Sequence, residues 1–297
     1  MVTMADNSVL ECHIKGNFRI RGIRTTNPVA VGDHVEVEQQ ADGTVWITAI
    51  EPRSNYIIRR STNLSKEAHI LASNLNQVAL LVTLNHPVTS TTFIDRFLAT
   101  AEAYRVPAVL VFNKMDLLDS YEQAHLNELT DLYQGLGYRC LTLSAKNLSD
   151  EQGHSLQELL QDRVTLLSGN SGVGKSTLLN TLFGREMTRT GRISEAHDKG
   201  MHTTTFSEMY NLPYGGWLID TPGIKGFGSV EMQATEVSHY FREIFALSRQ
   251  CRYDDCLHTE QCPHCAVYEG VVRGDIALSR YESYLSLLGD CSESKYR

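Results

Sequence analysis

Eight consecutive residues, Gly169-Asn170-Ser171-Gly172-Val173-Gly174-Lys175-Ser176, have the types and spacing to bind a phosphorylated ligand. Glycines at 169, 172 and 174 let the backbone wrap closely around an anion and turn its N–H groups inward. The Lys175 ammonium can reach β- and γ-phosphates, the Ser176 hydroxyl can ligate Mg²⁺, and Thr177 continues the same binding turn. This chemistry needs a strand before the turn and a helix start after it. Val164 to Leu167 reads as a buried strand, and Thr177 to Phe183 reads as a short helix with Gly184 placed to end it.

Further polar motifs sit at predicted strand ends. Pro107–Phe112 delivers Asn113-Lys114-Met115-Asp116, and Leu141–Leu143 runs into Ser144-Ala145-Lys146. Trp217–Ile219 ends in Asp220-Thr221-Pro222-Gly223. Open α/β sheets bind ligands outside the carboxyl ends of their strands, so these motifs mark one site. Asp116 can accept from both the N1–H and the exocyclic amine of guanine; adenine offers neither of those donors to it. Asn113 can tie the base to the phosphate loop, the Lys114 stem can cover the flat face, and the backbone of Ser144-Ala145-Lys146 can bond the guanine carbonyl oxygen. Asp220 would hold Mg²⁺, and the Gly223 N–H would sense the γ-phosphate and lose it on hydrolysis.

Between the loop and Asp220 lies Gly200-Met201-His202-Thr203-Thr204-Thr205, after a polar stretch from Gly191 that is expected to be mobile. A threonine here, taken as Thr204, would ligate Mg²⁺ only with the γ-phosphate present, making a switch; three threonines equally suit an edge strand. Ile224 stands where many GTPases place a water-orienting glutamine, so a partner must complete catalysis. Lys175 and Thr204 join His202 in the catalytic set. His202 is the candidate for orienting or deprotonating water, and a solvated loop histidine is the competing reading. GTPases normally run phosphate loop, switch threonine, DxxG, NKxD, SAK. Here NKxD and SAK come first, which is a circular permutation.

The elements around the site follow from periodicity and composition. Length of 297 residues allows two or three domains, and 42% hydrophobic with 21% charged residues is ordinary for a globular chain. A net charge of −8 argues mildly against a generic nucleic-acid binder. No apolar run reaches the roughly 18 residues of a membrane helix, and Met1–Leu10 does not read as a secretory signal, so a cytoplasmic protein is expected. Val9–Ile14, Phe18–Ile23, His34–Val37 and Val45–Ile50 alternate like short strands of a small barrel of the oligonucleotide-binding type. Arg19, Arg21 and Arg24, with Arg59-Arg60 as a second spot, suit either RNA phosphates or a solvated face. Val78–Thr83 reads as a buried strand, while Ile94–Tyr104, Tyr121–Leu136, Glu231–Arg249 and Ile276–Leu288 read as helices. Of seven cysteines, four lie between 251 and 265. Cys251, Cys256 and His258, completed by Cys265 or Cys262, make a closed tetrahedral set for structural Zn²⁺. The segment from 231 carries seven basic and eleven acidic residues, so RNA contact there would rest on shape and a few arginines.

Permuted order, N-terminal barrel and cysteine-rich tail together resemble the ribosome small-subunit-dependent GTPase family, RsgA, also called YjeQ. The similarity covers nearly the whole chain. It includes Asn74-Leu75-Asn76-Gln77-Val78, Ile94-Asp95-Arg96-Phe97-Leu98, Asn113–Leu117, Gly169–Ser176, His202–Thr205 and Asp220–Gly223. The resemblance favours Cys265 as fourth zinc ligand, although this chain has one extra residue before it. It implies a multidomain α/β protein: an OB-type β barrel over 1–72, a circularly permuted P-loop GTPase domain over 73–230 and a zinc-binding helical domain over 231–297. It further implies GTP hydrolysis stimulated by the small (30S) ribosomal subunit in its late maturation, with rRNA contacts, GTP and GDP, Mg²⁺, one Zn²⁺, a monomeric state and no membrane. Two other readings stand beside it: a P-loop ATPase or kinase with a zinc accessory domain, and a permuted GTPase serving the large subunit. A kinase has no use for Asn113-Lys114-x-Asp116.

Overall fold

The computed structural model describes residues 1–14, 28–60, 68–184, 208–220 and 232–293. The expected strand Phe18–Ile23 and the arginines at 19, 21 and 24 lie outside those residues, as do His202–Thr205, Gly223 and Ile224.

The N-terminal strands are β1 (Val2–Thr3), β2 (Val9–Leu10), β3 (Cys12–Ile14), β4 (Val35–Gln39) and β5 (Val45–Ile50). The expected single run Val9–Ile14 is therefore split: β2 pairs with β1, whereas β3 pairs in parallel with β5, which also carries β4 antiparallel. A hairpin unforeseen in the sequence follows, β6 (Tyr56–Arg60) against β7 (Ala68–Ser73). Asp33 joins this hairpin to the N-terminal strands, accepting from Arg53 Nε and Ser73 Oγ at 2.6 Å each. Gly32 has φ +91°, and a Cβ there would lie 2.2 Å from the Ser73 carbonyl oxygen, so only glycine lets the two segments approach.

The centre of the molecule is a six-stranded sheet. Its strands are β8 (Gln77–Val82), β9 (Ala108–Phe112), β10 (Arg139–Thr142), β11 (Val164–Ser168), β12 (Glu208–Asn211) and β13 (Trp217–Asp220), in spatial order β10-β9-β8-β11-β13-β12. All neighbours are parallel except β12, an antiparallel edge on β13. Period-two alternation sorts the side chains between two cores. Val78, Leu80, Val82, Leu110 and Phe112 face α1 (Thr91–Ala103) and α2 (Ser120–Gly135), with Ile57 and Ala72 of the hairpin in the same cluster. Ala79, Leu81, Val109, Val111 and Leu167 face α3 (Asp150–Leu160) and α4 (Lys175–Phe183). Burial on both faces is why β8 reads as an unbroken apolar run.

The helix starts have local causes. The Ser90 side chain accepts from Phe93 N, and Asp119 and Ser149 form capping boxes with Glu122 and Gln152. Gly184, at φ +61°, ends α4 as expected.

The single helix expected over Glu231–Arg249 is not formed among the described residues. A 3₁₀ turn, Val237–Tyr240, is separated from α5 (Arg242–Ser248) by Phe241, which is extended at φ −114°, ψ 104°. The break turns Arg242 onto the central domain. Its Nε reaches Glu102 at 2.7 Å, its Nη1 donates to the Leu136 and Gly137 carbonyls at 3.1 and 2.9 Å, and its guanidinium covers Tyr138. These contacts override a helical pattern that is correct in period. α6 (Ala266–Arg273) and α7 (Leu278–Glu293) are the last elements among the described residues. α7 begins two residues after the expected Ile276, which is buried in the third core with Phe241, Val267, Tyr284 and Ala99 of α1. Among the described residues no helix is long and apolar enough to cross a membrane.

Candidate functional site

The loop 169–174 joins β11 to α4 at the carboxyl end of the sheet, the strand–turn–helix context that phosphate binding needs. Its glycines are held open by neighbours as well as by dihedrals. At Gly169 (φ +147°) a Cβ would meet the Leu81 carbonyl at 2.7 Å, and at Gly174 (φ +104°) it would meet Asn113 Nδ2 at 2.4 Å. Lys175 curls over the loop, donating to the Gly169 and Asn170 carbonyls at 2.6 and 3.0 Å. Burial pushes its ammonium below the usual lysine range, and the Asp220 carboxylate works against that shift. Asp220 stands opposite Leu167 on the adjacent strand, β13, one residue before β11 ends in Ser168. A hydroxyl at 176 and a carboxylate at 220 around one turn are the hard oxygen donors that suit Mg²⁺.

Asn113 is the joint of the site. It is buried, its Nδ2 donates to the Val173 carbonyl at 2.8 Å, and its Oδ1 accepts from Ala145 N at 2.8 Å. One carboxamide thus fixes the ends of three strands, β11, β9 and β10, relative to each other. Lys114, in the left-handed region at φ 65°, donates to the Gly172 carbonyl at 2.8 Å and to the His86 carbonyl. Ser144 Oγ accepts from Asp116 N at 3.0 Å, and Met115 N donates to the Leu143 carbonyl at 3.3 Å. The burial pattern separates scaffold from contact groups. Asn113, Ser144, Ala145 and Val173 are buried, whereas Asp116, Lys146, Ser171, Gly172, Ser176 and Thr177 are exposed at the mouth. Two supporting residues were not anticipated. Thr181 Oγ1 donates to the Ala145 carbonyl at 2.7 Å, and Gln152 Oε1 accepts from Ser144 N at 3.4 Å. The Ser149-x-x-Gln152 pattern is a readable capping box; nothing local marks Thr181.

A second constellation lies in the C-terminal segment. The ligand atoms of Cys251, Cys256, His258 and Cys265 all lie within 4.8 Å of one another, and Cys262 is not in this set. Cys251 Sγ and Cys265 Sγ are 3.5 and 3.6 Å from His258 Nδ1 and 4.0 Å from each other. Tetrahedral bonds of about 2.3 Å to sulfur and about 2.0 Å to nitrogen require edges near 3.5 and 3.8 Å, so the donor set fits a metal ion. Burial lowers the pKa of His258 and favours the neutral, ligating imidazole. Tyr281 and Tyr284 of α7 donate to the His258 and Leu257 carbonyls at 2.8 Å each and hold the loop. Cys265 Sγ also caps α6, accepting from Tyr268 N at 3.3 Å.

Two family profiles match the chain: the RsgA N-terminal domain over residues 2–47 and the RsgA GTPase over 50–230. The chain belongs to the RsgA GTPase family. It is 53% identical to the small ribosomal subunit biogenesis GTPase RsgA of Phocaeicola vulgatus, over 100% of this chain and 95% of the relative. It is 56% identical to that of Bacteroides fragilis, over 98% and 93%. Among solved structures, YjeQ from Thermotoga maritima superposes with a TM-score of 0.72 at 32% identity, covering 94% of this chain and 89% of that one. YloQ, described as a circularly permuted GTPase, superposes with a TM-score of 0.73 at 27% identity, covering 98% and 89%. The protein is therefore a GTPase with the circularly permuted fold. The sheet brings the motif-bearing strand ends together although NKxD precedes the phosphate loop in the chain.

Proposed function

We propose that this protein hydrolyses GTP when it meets the small (30S) ribosomal subunit, in the late maturation of that subunit in the cytoplasm. The observation that carries the reading is the Asn113 carboxamide, which couples the phosphate loop at Val173 to the Ser144-Ala145-Lys146 turn. The relatives named above carry the ribosomal part. Residues 1–72 form an OB-type barrel that contacts rRNA, 73–230 the GTPase domain and 231–297 the metal-binding helical domain; the protein acts as a monomer.

In the bound state, Asp116 accepts from guanine, Lys114 covers its face and Ser144-Ala145-Lys146 meet its carbonyl oxygen, with Met115 completing the turn. Gly169 to Thr177 cradle the phosphates, and Lys175 reaches the bridging β–γ region. Ser176, Thr204 and Asp220 would hold Mg²⁺, which when bound neutralises charge on the β- and γ-phosphate oxygens. The Gly223 N–H reports the γ-phosphate to the C-terminal region. Ile224 cannot orient water, so His202 takes that role when the ribosomal subunit is bound. Intrinsic turnover is then no faster than the roughly 10⁻⁴ to 10⁻³ s⁻¹ of an unassisted small GTPase. Cys251, Cys256, His258 and Cys265 would hold one structural Zn²⁺, worth on the order of 10 kcal/mol to the folding of its segment.

The test is GTP turnover by purified protein alone, with small subunits and with large subunits, against ATP. A rise of orders of magnitude with small subunits alone is expected. Equal response to both subunits, or preference for ATP, would overturn the reading.

A further inference from the structure

The eight residues from Thr83 to Ser90, between β8 and α1, meet Lys114, the phosphate loop at Gly172 and the start of α2, although none belongs to a nucleotide motif. Thr83 is fully buried. Its Oγ1 donates to the Pro87 carbonyl at 2.6 Å. Its backbone pairs with Thr89, Thr83 N donating to Thr89 Oγ1 at 3.2 Å and Thr89 N to the Thr83 carbonyl at 2.9 Å. The intervening residues are thereby pinned at their base into a closed loop.

The tip of this loop reaches three ways. The His86 carbonyl accepts from the Lys114 ammonium, whose other partner is the Gly172 carbonyl at 2.8 Å. The Pro87 ring packs beside Gly172, 3.5 Å from where a Cβ would stand. Asn85 Nδ2 donates to Glu122 Oε1 at 2.7 Å, while Glu122 Oε2 accepts from Asp119 N at 3.0 Å in the α2 cap. A lysine ammonium has three donors, and two are spent here on carbonyls from different loops. The Lys114 side chain is thus held in one place before any ligand arrives. A lysine that is already ordered does not lose its rotamer freedom on binding.

We infer that Thr83 is a positioning residue for the bound guanine nucleotide: its hydroxyl holds the 83–90 loop, and the loop holds Lys114. This rests on the reading of Asn113–Asp116 as the guanine motif. Thr83 acts through Lys114, so the two should not be independent.

The experiment is stopped-flow release of mant-GDP and mant-ADP from the full chain, in a double-mutant cycle of Thr83→Val and Lys114→Met. Thr83→Val keeps the shape and removes the donor. It should speed mant-GDP release about tenfold, the scale of one lost hydrogen bond, with association changed less than about twofold. Thr83→Ser should restore wild-type release. The double variant should release no faster than Lys114→Met alone, whereas general destabilisation would add to it. If Thr83→Val does not fold, Asn85→Ala, which frees the loop from α2, carries the same prediction at about threefold. Unchanged release in the variant that folds, or full additivity with Lys114→Met, overturns the inference and leaves the guanine reading intact. Wild-type protein that holds mant-ADP as tightly as mant-GDP overturns both.

Discussion

Replacing Arg280 by methionine should unlatch the C-terminal segment from the GTPase sheet. Arg280 on α7 and Asp95 on α1 are 1% and 0% exposed and meet at 2.8 Å. The same guanidinium donates to both oxygens of Glu243 at 2.7 and 3.1 Å and covers the Phe241 ring, and Tyr133 donates to Asp95 at 2.8 Å. Methionine fills most of the stem volume but leaves two carboxylates without their cation. Breaking a buried pair from one side costs about 3–5 kcal/mol. Burial raises the pKa of Asp95, and the Arg280 charge is the largest influence opposing it. Without Arg280 the folded-state value rises further above the unfolded carboxylate value of about 3.9. A raised acid is most favourable to folding below the unfolded value and loses that contribution as pH rises through the folded one. The deficit of Arg280→Met should therefore widen from about pH 4 towards pH 7 and reach several kcal/mol there. Hydrogen exchange in α7, with α3 as internal reference, reads the local opening directly. The neutral set Arg280→Met, Asp95→Asn, Glu243→Gln should recover most of the loss. A deficit under about 1 kcal/mol, one that shrinks with rising pH, or a neutral set as open as the single variant would refute the argument.

Other expectations are direct. Asn113→Ala removes the donor to Val173 and the acceptor for Ala145, so GDP affinity measured by titration calorimetry should fall about 10- to 100-fold, and the melting temperature should fall with it because the buried Ala145 N–H loses its acceptor. Cys265→Ser should lower bound metal, read by mass spectrometry of the native protein, from one ion per chain towards none. Cys262→Ser should retain it, since Cys262 stands outside the four-donor set.

Much of the site was legible because its chemistry sits in short contiguous spans. A phosphate turn needs its glycines in order, and a guanine-selective carboxylate needs its asparagine three residues before it, so Gly169–Ser176 and Asn113–Asp116 declare themselves. What holds those spans together is not local. Asn113 meets Val173 across 60 positions, and Arg280 meets Asp95 across 185. No window of sequence contains either pair. The β6–β7 hairpin escapes a reading by alternation although Ile57 and Ala72 lie in the core of the sheet, because its apolar residues come in runs, Tyr56-Ile57-Ile58 and Ile70-Leu71-Ala72, and not at every second position. Phe241 shows the opposite failure: the period was right, and a tertiary demand on Arg242 broke the helix. The loop from Thr83 has no composition that marks it, since it meets Lys114 through the His86 carbonyl, a group every residue carries.

The central claim is that Asp116 selects guanine in a site whose turnover the small ribosomal subunit completes. Asp116→Asn should exchange guanine for xanthine selectivity, because an amide can donate to the second carbonyl of xanthine where the carboxylate accepted the guanine amine. The decisive measurement is nucleotide hydrolysis by Asp116→Asn protein with small subunits present. Stimulated XTP turnover with loss of stimulated GTP turnover is the predicted result. GTP turnover stimulated as in the wild type, with XTP ignored, would contradict the account.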